Sequence, residues 1–146
     1  MPGKGHFLMG IRQHVDEWLA AHGETVIGWR RHFHTHPELS HQERHTTEFI
    51  TTVLREHGMT PTLFPTTGLM VDIGPGVGPR IAFRADLDAL PIEETAPVAF
   101  RSASPGVMHA CGHDVHTAIV LALACALNTY PLTVGLRFIF QPAEEV

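Results

Sequence analysis

Cysteine is scarce in this sequence. The 146 residues include two cysteines, Cys111 and Cys125, which are too few for a disulfide framework. If a helix begins near His113, the two lie about 20 Å apart at ~1.5 Å per residue, whereas a disulfide requires Cα atoms within about 7 Å. We therefore predict that they are not paired, which favours a reducing compartment and a cytoplasmic location.

Long hydrophobic runs are also missing. The longest mainly apolar stretch, residues 117–127, is far shorter than the ~20 residues that cross a bilayer. The first part of the chain, residues 1–21, has neither a continuous apolar core nor a small-residue cleavage site, so we expect no signal peptide. These absences predict a protein that does not associate with membranes.

Basic residues are few and scattered. Lysine and arginine number 10 against 15 aspartates and glutamates, and only Arg30 and Arg31 are adjacent. This distribution argues against nucleic-acid binding. With 146 residues, of which 44% are hydrophobic, the chain has the size of one small domain with a real core.

Histidine, in contrast, is abundant, with twelve residues. The densest stretch, residues 109–116, contains three of them beside Cys111 and an aspartate. Thiolate and imidazole are ligands that zinc prefers, and Gly112 allows a tight bend between Cys111 and His113. Cys111 lies ahead of a predicted helix, where the helix dipole and a bound metal would both lower the thiol pKa, which favours thiolate ligation. The Cys-x-His spacing alone fits a buried cysteine beside a helix-capping residue equally well.

Apolar periodicity predicts helices in the first third of the chain. We expect one helix over residues 11–21, ended by Gly23, and a second over residues 24–34. Ser40 and Glu43 have the spacing of a capping box, which predicts another helix that ends near Gly58.

The remainder of the chain alternates between strand and helix patterns. Strands are predicted at residues 60–64, 69–73, 80–85 and 133–140, with a loop at 92–108 and a buried helix after it. The final order of strand, helix and strand predicts a crossover between parallel strands in an α/β sheet. Ligands of such sheets bind at the carboxyl ends of the strands.

Acidic pairs follow two of these predicted strands. Asp86 and Asp88 follow one strand, and Glu144 and Glu145 follow the last, so both pairs are expected at the sheet edge where the Cys-x-His segment lies. One carboxylate of a pair could ligate a metal while the other takes a proton from water. The alternatives are a solvated acidic pair in a turn and an aspartate that caps a turn.

His32, His34 and His36 form a second group of histidines. A spacing of two residues places side chains on one face only in a strand, and this segment is predicted to be helical up to Pro37. We therefore expect a structural or supporting role for these three histidines rather than a metal site.

Four motifs carry a family resemblance: residues 31–39 (RHFHTHPEL), 83–91 (FRADLDALP), 108–116 (MHACGHDVH) and 140–145 (FQPAEE). In this order they resemble the N-terminal part of the metal-dependent amidohydrolases that include hippurate hydrolases, N-acyl amino acid amidohydrolases and auxin-conjugate hydrolases. The resemblance implies an α/β fold, part of a zinc-peptidase-like three-layer α/β/α catalytic domain with a mostly parallel central sheet. Residues 1–146 would be the N-terminal part of that domain, without the lid and dimerisation domain and the C-terminal catalytic part.

The resemblance also implies a site for two divalent metal ions, zinc or manganese. Cys111, His113 and Glu145 would be metal ligands and Glu144 the general base, while Asp86 matches an active-site position. The substrate would be a small N-acyl amino acid, and the full-length protein would form a homo-oligomer.

Other motif positions receive a weaker assignment or none. Asp88 would support the site, and no role is assigned to Asp114 or His116. Because relatives continue to further histidine ligands, we expect this chain alone to be an incomplete, inactive fragment. A dipeptidase or carboxypeptidase of the same superfamily and a non-catalytic metal-binding domain are the alternatives.

Overall fold

The computed structural model describes residues 4–146, with side chains from residue 10 onward. Three helices and four strands form one mixed α/β unit. Their bounds are α1 (Lys4–Thr35), α2 (Arg44–Glu56), β1 (Thr62–Leu63), β2 (Leu69–Ile73), β3 (Arg80–Asp86), α3 (His113–Asn128) and β4 (Gly135–Gln141). No helix among these residues is long and apolar enough to cross a membrane.

The first helix is continuous, so the predicted break at Gly23 is wrong. α1 runs through Gly23 to Thr35, because the apolar side chains on both sides of the glycine face the same core. Val15 and Val26 pack against that core, and Phe33 is buried in it. Their burial outweighs the ~1 kcal/mol by which a glycine disfavours a helix interior.

α2 is the helix that was predicted to follow Ser40. It begins near the predicted place, but the capping box is not formed. Glu43 is the N-cap residue of α2 and makes no side-chain capping hydrogen bond. The cap comes instead from the Glu38 carboxylate, which accepts hydrogen bonds from the backbone N–H groups of His45 at 3.1 Å and Thr46 at 2.9 Å. Gly58 follows the helix with φ of 77°, as a left-handed C-terminal residue should.

The four strands form a mixed sheet in the order β1-β2-β4-β3. The β3–β4 pair is parallel, as the predicted crossover through α3 requires. The β1–β2 and β2–β4 pairs are antiparallel, so the mostly parallel sheet expected for the family is seen only in the β3–β4 part of this chain. β1 is shorter than predicted, at two residues.

The helices pack against one face of the sheet. Apolar side chains from the three helices and from the inner face of β2 and β4 form a single buried cluster, which includes Ile50, Leu121, Val71 and Phe138. The opposite face carries Met70 and Ile139, which are partly exposed, and an ion pair between Asp72 and Arg137 at 2.7 Å. The described residues thus form a helical layer and a sheet layer.

Candidate metal centre

The end of β3, the start of α3 and the turn after β4 meet at one edge of the sheet. Asp86 is the last residue of β3 and lies opposite Gln141, the last residue of β4. His113 is the first residue of α3. This convergence is the one predicted from strand order, because parallel neighbours end at the same edge.

Two groups of metal-ligating side chains form at this edge. Cys111, His113 and Glu145 each offer a ligand atom, and these three atoms lie within 4.8 Å of one another. The same holds for a second group of Asp86, His113 and Glu144. The structure therefore brings together all five residues for which the family resemblance implied metal-binding or catalytic roles.

The ring of His113 is held in one orientation by Asp88. Its Nδ1–H donates to the backbone carbonyl of Asp88 at 2.9 Å, and the side chain is 4% exposed. This bond places the proton on Nδ1 and leaves Nε2 free as a ligand atom. Nε2 lies 3.8 Å from a carboxylate oxygen of both Glu144 and Glu145.

Asp88 links three parts of the centre, which is more than the supporting role expected from the sequence. Its Oδ2 accepts hydrogen bonds from Ser40 Oγ at 2.7 Å and from the backbone N–H of Glu145 at 2.9 Å. Burial raises the pKa of Asp88, but these hydrogen bonds outweigh it and the net pKa is lowered. Ser40, which the sequence suggested as a helix cap, is part of this arrangement.

The turn that carries the two glutamates is held by a residue that sequence reasoning missed. Ala143 adopts a positive φ of 53°, which takes Glu144 and Glu145 out of the alternation of a strand. The backbone N–H of Ala143 donates to the buried carboxylate of Glu43 at 2.8 Å. Glu43 lies 100 positions away, so no local pattern could have identified it.

The groups around Cys111 raise the pKa of its thiol. The causes are a hydrogen bond to Glu145, desolvation and the charges of neighbouring carboxylates, whereas the lowered pKa expected from the sequence depended on the helix start together with a bound metal. The surrounding negative charges outweigh the start of α3, because a helix dipole amounts to about half a charge. Both cysteines are free, as predicted.

One guanidinium group offsets part of this negative charge. Arg84 Nε lies 2.8 Å from Asp86 Oδ1, and its terminal nitrogen donates to Asp86 Oδ2 at 3.0 Å. The same nitrogen is 4.0 Å from Glu144 Oε1. Arg84 therefore holds Asp86 beside the centre and faces Glu144.

A buried polar network lies behind the centre. His34 contacts Asp114 Oδ2 through Nδ1 at 2.7 Å and Glu94 Oε1 through Nε2 at 3.0 Å. Arg30 Nε pairs with the same Asp114 oxygen at 2.9 Å. Asp114 therefore joins α1 to α3, whereas His116 is exposed.

His109 is the buried histidine next to this network. It is 6% exposed, and neither ring nitrogen has a hydrogen-bond partner in the described part of the chain. Burial lowers the pKa of His109 to about 4, so the ring is neutral at pH 7. From the local sequence alone, His109 could not be distinguished from the candidate ligands in the same motif.

The comparison with protein families agrees with this geometry. The family model described as Peptidase family M20/M25/M40 matches residues 82–146. That segment contains every member of the two candidate ligand groups.

Two relatives and one solved structure are similar over most of the chain. An N-acetyl-L-cysteine deacetylase from Bacillus subtilis strain 168 is 50% identical over 84% of the chain, and the match covers 30% of that protein. An N-acyl-L-amino acid amidohydrolase from Geobacillus stearothermophilus is 47% identical over 93% of the chain and 37% of that protein. A Bacillus subtilis structure described as a dinuclear metal-binding peptidase of the M20 family has a TM-score of 0.82 and 46% identity.

The match with that structure covers 87% of this chain but only 37% of the solved chain. The chain thus spans between 30% and 37% of the length of these proteins. The resemblance that the four motifs indicated is confirmed by these matches. Over residues 82–146 the chain matches peptidase family M20/M25/M40, and it resembles the N-terminal portion of the amidohydrolases that are similar to it.

Proposed function

We propose that the protein to which this chain contributes hydrolyses the amide bond of small N-acyl amino acids with divalent metal ions. The observation that carries the proposal is the convergence of a thiol, an imidazole and a carboxylate within 4.8 Å. The names of the two relatives, a deacetylase of N-acetyl-L-cysteine and an N-acyl-L-amino acid amidohydrolase, support the class of substrate.

The residues present fit a divalent cation. Glu145 Oε1 is buried without an N–H or O–H partner in the described residues, a costly state for a carboxylate oxygen unless a cation faces it. His113 directs Nε2 to the same place. Cys111, His113 and Glu145 would hold one cation, with a second beside it near Asp86. Zinc and manganese are the candidates, and the thiolate favours zinc.

The adjacent glutamates are proposed to have different tasks. Glu145 would be a ligand, since its backbone is fixed by Asp88 and its Oε1 is buried. Glu144 has a side chain that is 40% exposed and therefore faces the space that a substrate would enter. It would take a proton from the attacking water and pass it to the leaving amine.

The proposed reaction is the addition of one water molecule across the amide bond. A bound divalent cation would polarise the scissile carbonyl and acidify the water. The water oxygen forms a bond to the carbonyl carbon, the carbon–nitrogen bond breaks, and the proton held by Glu144 goes to the nitrogen. The products are a carboxylic acid and an amino acid. Arg84, which pairs with Asp86, places a positive charge 4.0 Å from the Glu144 carboxylate.

Paired substitutions test the proposal in the full-length protein. Glu144→Gln should retain metal and lose about 10²–10⁴-fold in kcat on an N-acetyl amino acid, the usual contribution of a general base. Glu145→Gln should lose metal as well as activity, measured by elemental analysis of dialysed protein. Glu56→Gln, at an exposed position of α2, is the matched control.

Equal loss of metal in the Glu144 and Glu145 variants would reject the division of tasks. Turnover by the wild-type protein that survives complete removal of metal by a chelator would reject the proposed chemistry altogether.

A further inference from the structure

A cavity lined by histidines lies outside the candidate metal centre. Its volume is about 360 Å³, and it opens between the end of α1 and the start of α2. Its lining residues are His32, His36, Pro37, Glu38, His45 and Ser104. None of them belongs to the two ligand groups at the sheet edge, and no three of their ligand atoms lie within 4.8 Å of one another in the described part of the chain, so a cation here requires one side chain to turn.

Two of these imidazole rings already lie close together at the end of α1. His32 and His36 are four residues apart, and their ring centroids are separated by 4.8 Å. The backbone N–H of His36 donates to the carbonyl of His32 at 3.0 Å, so the helical turn that sets this spacing is intact. The ring of His32 stacks on Phe49 at 4.2 Å, which fixes its position.

The nitrogens of these rings are available to a ligand. Across residues 10–146, no hydrogen bond or ion pair to a protein group is made by the ring nitrogens of His32, His36 or His45. His34 is different, since both of its nitrogens contact buried carboxylates. Burial and the neighbouring His36 lower the pKa of His32, which favours the neutral ring that a metal requires.

We propose that His32 and His36, joined by His45 after a side-chain rotation, bind one borderline divalent cation such as Zn²⁺ or Cu²⁺. Imidazole nitrogen is the ligand these cations share. Two histidines four residues apart on a helix form a known bidentate arrangement, and the hydrogen bond from His36 N–H to the His32 carbonyl gives this pair a similar spacing although α1 ends at Thr35. The set differs from the His32, His34 and His36 group considered in the sequence, because His34 is turned into the interior.

Glu38 supplies negative charge to this site but is not one of its ligands. Its two carboxylate oxygens accept hydrogen bonds from the backbone of His45 and from Thr46. A cation between His32, His36 and His45 would join the last turn of α1 to the first turn of α2, so binding should also raise the unfolding temperature.

The experiment uses full-length protein with the Cys111→Ser and Glu145→Gln changes, which removes the candidate centre as a competitor. Zn²⁺ is titrated by calorimetry, and Cu²⁺ is followed by electron paramagnetic resonance. Adding His36→Gln and His45→Gln should remove one equivalent of Zn²⁺ and the Cu²⁺ signal with two or three coupled nitrogens. Both histidines are exposed, so the fold should tolerate these changes.

His41→Asn is the matched control, because His41 is exposed on the same connection but does not line the cavity. Asparagine also tolerates the positive φ of 65° at that position. The proposal is overturned if the variant with both glutamines binds as many equivalents as its parent, or if the parent shows no equivalent that these changes remove.

Discussion

Glu43 and Ala143 are joined by a hydrogen bond of 2.8 Å between the Glu43 carboxylate and the backbone N–H of Ala143. Glu43 is completely buried, and its other oxygen accepts a hydrogen bond from Thr67 Oγ1 at 2.7 Å. This carboxylate connects the start of α2 to the turn that carries both candidate site glutamates. The position of that turn therefore depends on a residue far from it in sequence.

Replacement of Glu43 by glutamine should weaken metal binding at the candidate centre, although Glu43 is not one of its proposed ligands. The amide oxygen can still accept from Ala143, but its NH₂ group faces Thr67 Oγ1, so the hydroxyl must turn from donor to acceptor and both hydrogen bonds lose the carboxylate charge, at a cost of about 1 kcal/mol. We expect a lower unfolding free energy and weaker metal binding, measured by denaturant titration and calorimetry. Glu48→Gln, at an exposed position of the same helix, should change neither quantity.

Asp88→Asn should show how far metal affinity depends on the orientation of the ligands, because the substitution leaves the ligands themselves unchanged. The substitution keeps the size of the side chain but weakens acceptance from Ser40 and from the Glu145 backbone. Loss of such a supporting contact typically lowers metal affinity about 10–100-fold. Ser40→Ala should give a smaller effect in the same direction, and unchanged affinity in both variants would contradict the role assigned to Asp88.

The acid stability of the protein should depend on Glu94. Burial raises the pKa of this carboxyl, but hydrogen bonds from Ser102 and His34 outweigh burial and the net pKa lies below its ordinary value of 4.5. The unfolded chain therefore binds this proton more tightly than the folded protein. The stabilisation is present above about pH 4.5 and is lost as the pH falls through the lower folded value.

Glu94→Gln should accordingly be less stable than the wild type near neutral pH and should lose stability less steeply below pH 4.5. Unfolding temperatures recorded from pH 3 to pH 7 provide the measurement. Parallel curves for the two proteins would show that Glu94 is not the group responsible.

The 146-residue chain expressed alone should be inert toward N-acyl amino acids even with zinc or manganese supplied. β3 is an edge strand whose Ile81 is 52% exposed, and such an edge favours association with other chains. We expect aggregation in light scattering and no turnover. Chelator-sensitive hydrolysis by this chain, abolished by Glu144→Gln, would disprove the prediction.

The sequence predicted the β3, α3 and β4 unit and the grouping of its polar residues. Strong β-branched and apolar patterns specify these elements locally, and chain direction then decides which ends meet. The chemistry of thiol and imidazole made Cys111 and His113 candidate ligands, whereas the ligand role of Glu145 and the base role of Glu144 were implied by the family resemblance. Local pattern was sufficient for the elements, and the resemblance was needed for the roles of the two glutamates.

The supporting contacts could not be predicted in the same way. Ser40 and Glu43 matched a local capping pattern, yet their side chains bind Asp88 and Ala143, 48 and 100 positions away. The pairing of His34 with Glu94 spans 60 positions. Such contacts arise from tertiary packing, which overrides local preference without leaving a periodic signal.

The continuity of α1 has a consequence for the protein's margin of stability. Gly23 and Gly28 lie inside the helix, and a Cβ atom added at either would meet no other atom within 4 Å. Each change to alanine should therefore gain about 0.5–1 kcal/mol of helix stability at no steric cost. A protein whose longest helix retains two such positions has been selected to stay above a threshold of stability rather than to reach its maximum.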